Sequence, residues 1–199
     1  MKIYDISQEL FSASVYEGDP SPSLSTLTSM NAGDTYNLSA FSACAHNGTH
    51  VDAPSHFIKD GKTVGEMELE KLVGEAYVSE LSGDISAEDA TRVLKKANAQ
   101  SPEAAKRILI KGEATVTESA AEAFLAGGVS LIGVESQSVG PINAPMAVHK
   151  LLLQKEVVLL EGIRLNKVTE GAYFLFSAPL NLGSAEGAPC RAVLVDFEN

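Results

Sequence analysis

The sequence predicts an α/β protein with β-rich layers beside an α/β layer, on three observations. The middle and end of the chain alternate strand-like and helix-like segments, residues 1–60 offer strands but no convincing helix, and 199 residues at 45% hydrophobic content suffice for one sizeable core. That length is short for two independent domains, so a single domain over residues 1–199 is expected.

Within residues 1–60, strand candidates lie near Ile3, near Leu24 and over residues 38–45, separated by proline and glycine turns. Residues 74–81 follow with the β-friendly Tyr77 and Val78. Ser86 with Asp89 resembles a capping box and opens a helix running to about Ala99. Residues 107–111 form a short apolar run that reads as a buried strand. Thr117 caps an alanine-rich helix, which Gly127 and Gly128 end because glycine tolerates positive φ. Residues 129–134 are the next strand. A short helix over residues 147–154 then precedes the apolar run 157–160, closed by Glu161 and Gly162. Residues 173–177 and 192–195 add two final strands. No fixed-period repeat or low-complexity segment is present, which disfavours solenoids and propellers.

Acidic residues outnumber basic ones by 26 to 15, so the average surface repels phosphate backbones and anionic lipid. Nucleic acid and membrane are therefore not expected partners. The opening Met1-Lys2-Ile3-Tyr4-Asp5-Ile6 has no signal-peptide pattern, and no uncharged apolar run is long enough to span a bilayer. A soluble, cytoplasmic protein is the expectation. Cys44 and Cys190 are too few for a disulfide framework and too far apart for a two-thiolate zinc motif, so both are expected as reduced, buried small residues.

The chemistry concentrates in residues 46–56, which hold three of the four histidines, His46, His50 and His56, together with Asp52. Imidazole and carboxylate are the ligand types of zinc or another borderline divalent metal. His50 and Asp52 alternate with Val51, so an extended backbone turns both side chains to one face. Gly48 lets the chain bend so that His46 also reaches the same ion, with Asn47 and Thr49 available as hydrogen-bonding support. A polar turn with solvated histidines is the alternative; three histidines and an aspartate together disfavour it. His149 is the remaining histidine and begins the segment that ends in Glu161 at a predicted strand end, where active-site groups often collect. Taken alone, His149 reads rather as a helix-start residue and Glu161 as a solvated strand-end carboxylate.

The run His46-Asn47-Gly48-Thr49-His50-Val51-Asp52-Ala53-Pro54-Ser55-His56-Phe57 resembles the His-x-Gly-Thr-His-x-Asp-x-Pro-x-His-Phe signature of the cyclase family, at every fixed position. Bacterial kynurenine formamidases and isatin hydrolases belong to that family. The resemblance implies a layered β/β/α domain of the swivelling type with mixed sheets, and a homodimer or higher homo-oligomer with pockets close to subunit boundaries. It implies one or two divalent ions, zinc with manganese as the alternative. His46, His50 and Asp52 would hold the first ion; Asp52 and Glu161 would bridge to a second, also held by His149. His56 would be the catalytic acid or base.

A metal ion lowers the pKa of bound water and polarises a carbonyl, which serves acyl hydrolysis of a small molecule. The chain has no Gly-x-Ser-x-Gly elbow to supply another nucleophile. The leading expectation is amide hydrolysis, with arylformamidase activity on N-formylkynurenine its best-defined form. Opening of a cyclic amide or lactone, as in an isatin hydrolase, is the second, and a non-catalytic metal- or ligand-binding scaffold the third. Two departures bear on substrate. Tyr16 stands where the formamidases place a tryptophan, and is equally a stacking contact for substrate or an ordinary loop aromatic. Glu135 and Gly140 stand where an Asp-x-x-Ser-Val-Asp type segment is common, a change that either reshapes the pocket or is neutral loop variation.

Overall fold

Runs of β-branched and aliphatic residues become strands, and alanine-rich runs behind a serine or threonine cap become helices. The computed structural model describes residues 1–197. In chain order the elements are β1 (Lys2–Asp5), β2 (Ser23–Thr28), β3 (Leu38–Ser42), β4 (His50–Asp52), α1 (Leu69–Leu72), β5 (Val73–Glu80), β6 (Gly83–Ile85) and α2 (Ala87–Gln100). They continue with β7 (Arg107–Lys111), β8 (Ala114–Val116), α3 (Glu118–Ala126), β9 (Leu131–Val134), α4 (Met146–Leu153), β10 (Val158–Glu161), β11 (Gly171–Phe176), β12 (Gly187–Pro189) and β13 (Val193–Asp196).

Nine strands form one mixed sheet in the order β1-β13-β11-β5-β7-β9-β10-β4-β12. The centre, β5-β7-β9-β10, is parallel, and the flanking pairs are antiparallel. Successive parallel strands are added in one direction, with α2, α3 and α4 in the crossovers. Crossovers of one hand place their helices on one face of the sheet.

The opposite face is buried as well, and the central strands alternate between two cores. Tyr77, Ile108, Ile110, Ile132, Val134 and Leu159 point into the core shared with the helices. Ala76, Val78, Leu109, Leu131, Val158 and Leu160 point into the other. That second core also takes Val51 from β4 and Leu194 from β13, strands far apart in the sheet order, so the sheet curls around it.

The predicted helices are present with their caps. Ser86 and Asp89 form the capping box of α2, and Thr117 accepts from the Ala120 N–H at the start of α3. The β-rich N-terminal stretch divides between two fates: β1 and β4 join the large sheet, while β2 and β3 pair only with each other. Leu24, Leu27, Met30, Tyr36, Leu38 and Phe41 on that ribbon and its connection are exposed. Both cysteines are free, but the expectation that both are buried needs correction, because each residue is only partly covered. The Cys190 thiol itself is enclosed, and burial pushes its pKa up to about 12. No described helix is long and apolar enough to cross a membrane.

Candidate active site

Strand parity decides where the site forms. Val51 points into the curled core, so His50 and Asp52, its neighbours on β4, point to the helix side. On β10, Leu159 faces the helices, and two positions on, Glu161 does the same. The antiparallel register sets Glu161 opposite His50 and Leu159 opposite Asp52. His149 comes from α4, which packs on that same face. His46 precedes β4, and the turn between them runs through Gly48 at φ +67°. Gly162 follows Glu161 at φ +70°, and a Cβ there would lie 2.5 Å from the Gly48 carbonyl oxygen. Two glycines thus let the His46–His50 turn and the end of β10 touch. Thr49 fastens the same junction by donating to the Gly162 carbonyl at 2.7 Å.

The five predicted ligand residues come together. His50 donates from Nδ1 to the Gly48 carbonyl at 3.1 Å, and His149 from Nδ1 to the Pro145 carbonyl at 2.9 Å, which turns both Nε2 atoms inward. His46 Nδ1 lies 2.9 Å from Asp52 Oδ1, and His50 Nε2 lies 3.5 Å from that same oxygen. The other Asp52 oxygen, Oδ2, is 3.6 Å from His149 Nε2. Glu161 repeats the pattern, with Oε2 3.5 Å from His50 Nε2 and Oε1 3.2 Å from His149 Nε2. Two groups of converging atoms result, His46-His50-Asp52 and Asp52-His149-Glu161. Each carboxylate offers one oxygen to either side.

A cavity of about 220 Å³ opens onto these atoms, lined among others by Tyr16, Asp19, His56, Phe57, Gln137 and Ser138. His56 stands on the short turn Pro54–His56, its ring 4.1 Å from that of His46 and 6.2 Å from that of His149. The Tyr16 hydroxyl donates to the Ile142 carbonyl at 2.8 Å, which ties its ring to the loop ahead of α4.

Residues 4–141 match the sequence profile of a family described as "Putative cyclase". The chain belongs to the cyclase family of metal-dependent hydrolases. A kynurenine formamidase of Erythrobacter litoralis is 33% identical over 97% of this chain and 93% of its own length. A solved structure described as a potential metal-dependent hydrolase with cyclase activity superposes with a TM-score of 0.80 at 26% identity, covering 97% of this chain and 96% of its own. Isatin hydrolase A of Labrenzia aggregata shares the fold at a TM-score of 0.83 and 19% identity, over 98% of this chain and 93% of its own.

The donor set of this cyclase-family chain suits a divalent cation. His50 Nε2 and Asp52 Oδ2 are buried without a hydrogen-bond partner among the described residues, a costly arrangement that a shared cation would relieve. The carboxylates also dominate the charges here. Burial opposes a charged His50, but Asp52 and Glu161 outweigh it and raise its pKa to about 10. Against the same burial, Asp52 raises that of His46, and Glu161 raises that of His149. Asp52 itself is held well below the usual carboxylate range, because His46 and His50 overcome the cost of its complete burial. His56 moves the other way: burial and its histidine neighbours lower its pKa despite Asp52. A neutral imidazole results at neutral pH.

Glu135, one departure from the family segment, lies outside the cavity. Its carboxylate accepts from the Gly112 and Leu165 N–H groups, both at 2.7 Å, and so braces two loops. At Gly140 a Cβ would come within 3.1 Å of Val148 Cβ, so the missing side chain lets α4 approach. Gln137 and Ser138, between these positions, do line the cavity, and the Ser138 hydroxyl is buried without a partner among the described residues. Ser138, inside the segment 135–140, and Asp19, three residues after Tyr16, also line the cavity, and neither is singled out by the sequence.

Proposed function

We propose that the chain is an arylformamidase, hydrolysing the formamide bond of N-formylkynurenine or a close aryl formamide with one or two divalent ions, zinc foremost and manganese second. What carries the proposal is the meeting of His46, His50, Asp52, His149 and Glu161 beside His56 in one small cavity. The near-full-length identity with a kynurenine formamidase supports the choice of substrate.

His46, His50 and Asp52 would hold one ion, and Asp52, His149 and Glu161 the second. Bound there, such ions supply an activated water and polarise the substrate carbonyl. His56, neutral at working pH, accepts a proton from the attacking water on a ring nitrogen and returns it to the departing amine nitrogen. Tyr16, clamped by its hydroxyl, offers a ring face at the cavity for an aryl group. The enclosing walls of Phe57 and Pro145 exclude bulk water from the reacting carbonyl.

The same reading makes the protein a single cytoplasmic domain that assembles as a homodimer. Two copies that each carry a net charge of −11 repel over most of their surface, and residues 23–43, which form the exposed β2–β3 ribbon, hold Asp34 as their one charged residue. The ribbon therefore offers a second copy a nearly uncharged surface with several exposed apolar side chains to cover.

Metal analysis of protein purified without added metal, with turnover of N-formylkynurenine before and after chelation, tests the assignment. Turnover that disappears with chelation and returns with zinc or manganese is expected. His56→Ala should lower kcat by about 10²- to 10⁴-fold with metal content unchanged. Full turnover in that variant, with its metal in place, removes His56 from the mechanism. Hydrolysis of isatin without turnover of formylkynurenine would move the protein to the ring-opening reaction.

A further inference from the structure

Three imidazoles face the metal-type cluster, and each has its other ring nitrogen occupied. For His50 and His149 the acceptors are the backbone carbonyls of Gly48 and Pro145. For His46 no backbone carbonyl serves: its outer nitrogen, Nε2, lies 3.3 Å from Glu186 Oε1. The adjacent Gly187 sits under the same ring. A Cβ on Gly187 would lie 2.7 Å from His46 Cε1 and 3.2 Å from His46 Nδ1, so only a glycine leaves room for the imidazole. The pair is held in place by β12, whose Gly187 is in register with Asp52 on β4, and by the Glu186 carbonyl accepting from the Ala53 N–H at 2.8 Å.

We propose that Glu186 is a positioning residue that, with Gly187 as the floor, fixes the His46 ring so that Nε2–H donates outward and Nδ1 faces the cluster. The inference rests on the metal-site reading above only for its consequence, not for the orientation itself. A carboxylate behind a ligating histidine fixes the tautomer and makes the opposite nitrogen a better ligand. The Glu186 side chain is 46% exposed, so its removal opens no cavity in the core.

Two variants and two readouts decide the matter. Glu186→Leu removes the acceptor, and Glu186→Gln keeps an oxygen able to accept the same bond. Zinc titrated against a competing chelator should bind Glu186→Leu about 10- to 100-fold more weakly than the parent protein, with most of the affinity retained in Glu186→Gln. The melting temperatures of the metal-free forms should agree. Equal zinc affinity in Glu186→Leu and the parent would overturn the proposal. Independently of metal, nitrogen-15 NMR of the metal-free protein should show a slowly exchanging His46 Nε2–H signal in the parent and in Glu186→Gln, lost in Glu186→Leu. A signal unaffected by Glu186→Leu, or missing in the parent, refutes the orientation. If the parent binds no zinc yet shows the Glu186-dependent signal, the functional reading fails and the positioning role stands.

Discussion

At the scale of single residues, the site is an excess of negative charge answered by imidazoles. In the metal-free chain the answer must come from protons, and a prediction about pH follows. His50 has an ordinary pKa of 6.5 and a folded-state value of about 10, so its contribution to stability is complete below about 6.5 and is lost as pH rises through about 10. Asp52, depressed by the same contacts, contributes above its ordinary 3.8 and loses its contribution only in acid. The shared bridge is therefore fully present between those two ordinary values. The chelated protein should melt at progressively lower temperature from pH 6.5 to pH 10. The metal-loaded protein, whose cation replaces those protons, should change much less over that range. Identical pH profiles with and without chelator would show that no cation takes the place of the protons.

At the scale of elements, β10 delivers its carboxylate through the turn that stops it. Gly162 has φ +70°, and a Cβ there would meet Gly48 O at 2.5 Å and Gln8 Nε2 at 2.7 Å. Gly162→Ala adds a left-handed backbone penalty of about 1–2 kcal/mol to that collision, so a loss of about 2 kcal/mol or more is expected. Each 1 kcal/mol moves the melting temperature of a chain this size by about 2–4 °C, and calorimetry should register a fall of about 4 °C or more. Metal affinity should fall with it, because Glu161 moves with the turn; an unchanged melting temperature would mean the contact is not a constraint. Elements of this kind mark the limit of what the sequence discloses. Arg107–Lys111 was legible as a strand, and α2 and α3 by their caps, because each carries a local signal longer than a turn. Strand β12, Gly187-Ala188-Pro189, has turn composition and exists only because β4 offers it an edge. Nothing local therefore announced Glu186 beside His46. The convergence of His46, His50 and Asp52 was legible from spacing. The approach of His149 and Glu161 depended on family resemblance, since it is produced by strand order and register.

At the scale of the whole molecule, two strand pairs stand outside the nine-stranded sheet: β6–β8, which buries Ile85 and Val116 in the helix-side core, and the exposed β2–β3 ribbon. A two-stranded hairpin is marginal in water on its own, yet β2 and β3 pair only with each other and expose Leu24, Leu27, Leu38 and Phe41, at 59%, 59%, 44% and 57%. In sequence the ribbon connects Tyr16 and Asp19 on one side to His46 on the other, so a contact that orders the ribbon acts on segments that also line the cavity. A second copy covering the ribbon predicts a particle of twice 20.9 kDa in sedimentation. Leu24→Glu with Leu27→Glu should return it to the mass of one chain, because charge on the covered strand is desolvated in the dimer and free in water in the monomer. The isolated chains should keep their helices and sheet by circular dichroism, since neither leucine belongs to either core. Turnover should then fall through a raised KM more than through kcat, because the cavity walls loosen while the ligand atoms on β4, α4 and β10 stay where they are. A parent protein that sediments as a single chain at micromolar concentration would leave the ribbon unexplained by self-association. A double variant that remains dimeric would place the contact on another face.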